Sequence, residues 1–307
     1  MKTNKVNMSS LVDNTTYTGE DALNFYSKIL LEGETLKMFQ LIPDVKSKVK
    51  IPRLDLTGIL QTSDCTFTAG GAATLSQKDL EVCPIKINLE FCTRDFEVNF
   101  LASQLRAGST EAQMPTVFQD YLLEQITKAT NAELETLLWS GDTEASSPDI
   151  CDGLLKQFTA DAAVIDVGGA VLSAANIIAE LGKVYDAIPA TIANRGKVVI
   201  FVSPAAAKFY RQAIAALNNG LVGTYNVGNF ALSYIDIPVV ISNGMPTNDM
   251  VAAEPQNLWY GCDLTSDQED VLVIPQRNTS GAPTIRVVAD FKFGVGYGVG
   301  EEVVFYS

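Results

Sequence analysis

The chain has 307 residues, with 22 lysines and arginines, 36 aspartates and glutamates, and no histidine. Without imidazole it has no route to a Ser-His-Asp or Cys-His nucleophile system, a histidine-ligated zinc site or a histidine pH switch. Its formal charge of -14 repels phosphate backbones and anionic membranes, which speaks against sequence-specific DNA binding, and 47% apolar residues exclude disorder of the whole chain.

Met1 to Asn7 lacks the apolar core of a signal peptide, and no apolar run reaches the ~18 residues of a membrane span. The reading is of a soluble protein made in the cytoplasm. Residues 1–18 are polar, rich in Asn, Ser and Thr, and predict an extended arm that orders only against something else. Leu23, Tyr26, Ile29 and Leu30 then fall at helical spacing, so a short amphipathic helix is predicted over Glu20 to Leu31, with Gly33 as its stop.

Two extended segments follow, Val49 to Leu60 and Leu80 to Phe91. In the second, Ile85, Ile87, Leu89 and Phe91 alternate with Lys86, Asn88 and Glu90. Between them, Gln61 to Asp79 is rich in small and polar residues. The unit is predicted to be a long hairpin with a mobile tip, each arm spanning ~40 Å at ~3.3 Å per residue. Pro52 and Pro84 each remove a ladder donor, which suits a two-stranded ribbon whose strands are both edges. A ribbon of that length is marginal alone in water. We therefore expect it to lie on a neighbouring copy of the same chain.

Thr116 opens the longest predicted helix, with Pro115 before it, Gln119 in the capping-box position and Gly141 after it. The helix runs to Trp139, or ~36 Å. Phe118, Tyr121, Leu122, Ile126, Ala129, Ala132 and Trp139 form one apolar stripe, Leu123, Leu134 and Leu138 a second, and Asp120, Glu124 and Glu135 lie on a narrow polar strip. Ser173 to Ile188 predicts another helix, facing inward through Ile177, Ile178, Leu181, Val184, Tyr185 and Ile188. Lys197 to Val202 predicts a buried strand. Ser203 as N-cap and Pro204 at the first position start a helix to Leu217, facing inward through Ala206, Tyr210, Ala213, Ile214 and Leu217. Further strands are predicted at Tyr234 to Ile241, Val271 to Ile274, Thr284 to Phe293 and Glu302 to Tyr306. The local class is α+β, with two helices against one sheet.

No motif points to chemistry. Gly294, Gly296, Gly298 and Gly300 alternate strictly, whereas a dinucleotide fingerprint needs Gly-x-Gly-x-x-Gly at a helix start; a turn or kinked strand is the better reading. Gly182-Lys183 and Gly196-Lys197 lack the remainder of a P-loop. Asp263, Asp267, Glu269 and Asp270 lack EF-hand spacing and read as a solvated acidic turn. Lys78 reads as an exposed solubilising residue. Cys65, Cys83, Cys92, Cys151 and Cys262 are widely spaced, contain no CxxC pair and read as reduced structural thiols. No catalytic residue, cofactor or metal is expected.

The order of elements (arm, short helix, long ribbon, long solitary helix, compact α+β domain) resembles the major capsid protein of tailed bacteriophages, the Hong Kong 97 fold, over essentially the whole chain. Leu122 to Ile126 and Ala132 to Asp142 are similar to the family's spine helix and its terminal turn. Val199 to Ala205 is similar to the strand-to-helix step of its axial domain, and Ile237 to Val240 with Asn243 to Pro246 to a later strand and turn. The resemblance implies an arm and short helix over 1–43 and an extended hairpin loop over 44–95. It implies a peripheral domain with the spine helix over 96–165 and 266–293, and an axial domain over 166–265 and 294–307. It further implies a subunit of hexamers and pentamers in an icosahedral or prolate virion shell around double-stranded DNA, assembled in the host bacterial cytoplasm with scaffold, portal and decoration proteins.

The expected inter-subunit contacts are Ile51, Leu54, Ile59, Phe67, Leu75, Ile85, Ile87 and Leu89; the expected core of the spine helix is Phe118, Leu122, Ile126 and Trp139. Because the sequence begins almost at the arm, a separate scaffold or an already trimmed form is expected. The alternatives are an encapsulin-like nanocompartment of the same fold and, in another class, a histidine-free enzyme acting through carboxylates.

Overall fold

A computed structural model describes residues 15–17, 35–63, 65, 70–92, 116–145, 150–193, 195–217, 232–263, 271–276, 280–282 and 284–307. In chain order its elements begin with β1 (Thr15–Tyr17), β2 (Gln40–Ile42), β3 (Lys48–Thr57), β4 (Ala72–Glu81), β5 (Cys83–Cys92), α1 (Thr116–Ser140), α2 (Leu154–Ala160), β6 (Ile165–Val167), α3 (Ile177–Ala187) and α4 (Ala190–Ala193). They continue with β7 (Val199–Val202), α5 (Pro204–Leu217), β8 (Leu232–Tyr234), β9 (Ile237–Ile241), β10 (Met250–Ala253), β11 (Leu258–Cys262), β12 (Val271–Pro275), β13 (Thr284–Tyr297) and β14 (Val304–Tyr306). Among the described residues, no helix is long and apolar enough to cross a membrane. The predicted helix over Glu20 to Leu31 lies outside the described residues, as do the side chains of Phe118, Tyr121, Leu122 and Leu217.

The chain divides into two compact units. The first comprises residues 1–32, 84–131 and 263–292. Here β12 pairs antiparallel with both β1 and β13, and β5 also pairs with β13. One face of this sheet carries Val273, Ile285, Val287 and Ala289, which close on Ile126 of α1 with Leu123, Ile87 and Phe91 at the margin. Arg286 and Glu90 form an ion pair between β13 and β5 at 3.1 Å.

The second unit comprises residues 33–83, 132–262 and 293–307. Its main sheet has the order β6-β14-β10-β7-β9-β8, with β7–β9 and β14–β6 parallel and the other pairs antiparallel. Central β7 and β10 are buried throughout, as their unbroken apolar runs require. On α3, Ile177, Leu181 and Val184 recur at helical spacing and are buried, while α5 buries Ala206, Tyr210 and Ala213 against the same core. Ser203 caps α5 by accepting from the Ala206 N–H at 3.1 Å. Where α1 enters this unit, Trp139 is enclosed by Phe39 and Phe201, and its indole N–H donates to Ser242 Oγ at 2.5 Å.

Several sequence expectations are corrected. The hairpin is β3 with β4, in continuous register from Lys48↔Glu81 to Thr57↔Ala72; it does not join Val49–Leu60 to Leu80–Phe91. The alternation of Ile85, Ile87 and Leu89 is real, but it belongs to β5, which lies in the sheet of the first unit. Segment Ala72–Glu81 gave no hydrophobic signal because it is almost all exposed. On α1, Ala129 and Ala132 are exposed, whereas Glu135 from the polar strip is buried and accepts from the Thr35 N–H at 3.3 Å. The segment read as one strand over Tyr234 to Ile241 is two, with Ile235 at φ 53 in the turn between them. Cys83 and Cys151 form a disulfide with Cα atoms 5.9 Å apart, so the reading of all five cysteines as reduced thiols fails for that pair.

Candidate assembly surface

Alternation along β3, combined with its register on β4, sorts the ribbon side chains onto two faces. Lys48, Lys50, Pro52, Leu54 and Leu56 share one face with Glu81, Asp79, Gln77, Leu75 and Ala73. Val49, Ile51, Arg53, Asp55 and Thr57 share the other with Leu80, Lys78, Ser76, Thr74 and Ala72. Polarity reverses between root and tip. At the root the first face is charged, with Lys48 bridging Asp79 at 3.0 Å, and the second is apolar. Toward the tip the first face is apolar, and the second is polar, with Arg53 paired to Asp55 at 3.0 Å.

The apolar root face is consumed by the chain's own second unit. Leu80 is fully buried with Val45 and Val82, and Ile42, Val49 and Ile51 pack at the edge of this cluster. Its seat is the glycine run. A Cβ on Gly294 would stand 2.1 Å from the Glu81 carbonyl oxygen, so only glycine lets β13 approach the ribbon root this closely. At Gly296 the neighbour would be Leu80, at 3.1 Å. The alternating glycines thus continue β13 to Tyr297 and form a backbone platform.

A polar clamp completes the root. Lys78 Nζ lies 2.7 Å from Asp161 Oδ2 and 4.1 Å from the centre of the Tyr297 ring, while the Tyr297 hydroxyl donates to the same carboxylate oxygen at 2.7 Å. The Lys78 ammonium, then the Tyr297 hydroxyl and the Ala163 N–H, hold the Asp161 carboxyl down at about 2. Burial, followed by its bond to Asp161, pushes the Tyr297 hydroxyl upward. Lys78 is therefore a structural anchor, in contrast to the solubilising role expected for it.

Among the described residues, the apolar tip face has no such cover. Leu54, Leu56 and Leu75 are 59%, 53% and 64% exposed, and Ile59 and Leu60 follow at 61% and 92%. Leu56 and Leu60 were not among the expected contacts, although the two-residue step from Leu54 marks Leu56 in the sequence. Of those that were, Leu54, Ile59 and Leu75 stand on or next to this surface. Ile51 faces the root cluster, and Phe67 lies outside the described residues. Ile85 is buried, Ile87 packs into the core of the first unit, and Leu89 is 37% exposed on the same strand. Ile85 and Ile87 thus serve the chain's own interior. Ile126 and Trp139, expected in the core of the spine helix, are both buried.

Among the described residues, no cluster of acidic or cysteine side chains is arranged to hold a metal ion. Of the acidic turn, only Asp263 is described; it is buried and ion-paired with Lys292 at 2.5 Å.

No family model matches the chain, and no curated protein is similar to it in sequence. Solved structures are similar to it in fold. The satellite phage P4 procapsid including size determination (Sid) protein shows 14% identity and a TM-score of 0.58 over 93% of this chain and 98% of that chain. Gordonia phage Cozz gives 13% and 0.58, over 90% and 86%. The capsid of an empty GTA particle gives 13% and 0.55, over 89% of each chain. At these identities the likeness is one of fold. The chain has the α+β fold of phage capsid proteins, the fold its order of elements resembles.

Proposed function

We propose that the chain is a non-catalytic shell subunit that assembles with copies of itself into the hexamers and pentamers of a closed virion capsid around double-stranded DNA. The observation that carries this reading is the ribbon tip. It projects an apolar face at Leu54, Leu56 and Leu75 from an element whose root is firmly seated on its own subunit. A second copy is the simplest cover for such a surface, and the likeness in fold to phage capsid proteins supports that reading. A standard interface buries about 1,600 Å² in total, more than these side chains alone provide, so the tip is one contact among several. DNA inside would be confined without being gripped, since a net charge of -14 per subunit repels phosphate. Scaffold, portal and decoration proteins belong to the same reading.

Negative-stain microscopy tests it. Closed shells from the purified protein, with DNA in the natural particle, are the expected result. Shells filled with protein cargo would indicate a nanocompartment instead, and a monomer or dimer that never assembles at high concentration would overturn both.

A further inference from the structure

Cys83 is the first residue of β5, at the point where the ribbon returns to the body of the protein, and Val82 immediately before it donates to the Ser47 carbonyl at 2.9 Å, in register with the β3–β4 ladder. Cys151 lies between α1 and α2, in a loop fixed by the Gly153 N–H donating to the Gly141 carbonyl at 2.7 Å. The disulfide thus ties the ribbon root to the segment after the long helix, across 68 residues of chain. Cys151 is 3% exposed, and its Sγ lies 3.4 Å from the Phe293 carbonyl oxygen, a contact a thiol can keep as a weak S–H···O bond. Cys83 is half-buried and directly follows the root that Leu80 and the Lys78–Asp161 ion pair hold down.

We infer that Cys83 and Cys151 form a thiol–disulfide exchange site gated by the ribbon root, whose co-reactant is a small disulfide or dithiol of the glutathione class. In the oxidising direction the Cys83 thiolate attacks one sulfur of glutathione disulfide. The S–S bond breaks and one glutathione thiolate leaves and takes up the proton. The Cys151 thiolate then attacks Cys83 Sγ in the mixed disulfide and releases the second glutathione. The cysteine pair loses two electrons and two protons, and the glutathione gains them. Cys83 is only partly accessible with the root seated, so lifting the root widens access to it and ribbon seating modulates the rate in both directions. A closed link in turn limits how far the root can lift. The site lies within one subunit and does not depend on shell formation.

The test uses the full chain before assembly. Exposed Cys65 serves as an internal standard in every molecule. Native alkylation of the reduced protein, read by peptide mass spectrometry, is expected to label buried Cys151 at least about tenfold more slowly than Cys65, and half-buried Cys83 at a rate between the two. Lys78→Ala and, separately, Asp161→Asn are expected to raise the Cys83 rate relative to Cys65 by about threefold, the scale of a partly exposed ion pair. Glutathione disulfide should yield Cys83–Cys151 as the main link and raise the melting temperature by about 10 °C. A main link through Cys65, Cys92 or Cys262, a wild-type Cys83 as reactive as Cys65, or no change in either clamp variant would overturn the inference.

Discussion

Asp161 accepts from an ammonium, a phenol and an amide at once, and this fixes how the ribbon root responds to acid. Its carboxyl titrates at about 2, below the ordinary value of 3.8, so its stabilising effect is complete above about pH 4 and is lost as pH falls through about 2. Limited pepsin digestion between those two values should show progressive cutting at the ribbon root. An Asp161→Asn protein should be cut throughout, with no such transition; wild-type cutting that is flat across the window would remove the clamp from the account. Ile126 tests packing in the first unit. An Asp there would place an unpaired charge among Val273, Ile285, Val287 and Ala289. The expected loss is above about 3 kcal/mol, seen as insoluble expression or a collapsed melting temperature. Soluble material at normal yield would mean that this face of the helix is not the buried one.

The ribbon combines a seated root with an open tip, and the two ends respond differently to mutation. Changing Leu54, Leu56 and Leu75 together to Ser removes exposed apolar surface without touching the core, so the subunit's melting temperature should stay within about 2 °C. Assembly should fail or require a much higher concentration, as followed by light scattering. Shells formed at wild-type concentrations would show that the tip face is not an interface. How far such elements are legible in a sequence depends on where they bury themselves. α1, β7 and α5 were readable because their apolar spacing, caps and stops all serve one local geometry. Strand β4 was not, since Ala72–Glu81 is held by its ladder to β3 and buries little more than Leu80. The next strand, β5, carries the stronger alternation and so reads as the second arm of the ribbon. The glycine run gave no sign of its role, because a platform for a backbone some two hundred residues earlier leaves no local pattern. The same holds for the pairing of Cys83 with Cys151.

At the scale of the whole molecule, each copy brings a net charge of -14 to any assembly, and like charge opposes accumulation of copies. Raising ionic strength from about 0.01 M to about 0.15 M shortens the screening length from about 30 Å to about 8 Å. Shell yield at fixed subunit concentration should therefore rise over that range. A falling yield would mean that attractive ion pairs between copies outweigh the net repulsion. The reversal of polarity along the ribbon also bears on the subunit while it is still alone. A two-stranded ribbon has two open edges and, here, a row of exposed leucines, the combination that templates unwanted strand addition. Pro52 interrupts one edge, and Lys48, Lys50, Asp55 and Asp79 place charges of both signs beside the apolar stretch as gatekeepers. These guard the approach to Leu54, Leu56 and Leu75. On the proposed function, the unassembled chain is held in a race between ordered addition and amorphous aggregation, with an upper bound on its working concentration set by the same leucines proposed to let it assemble.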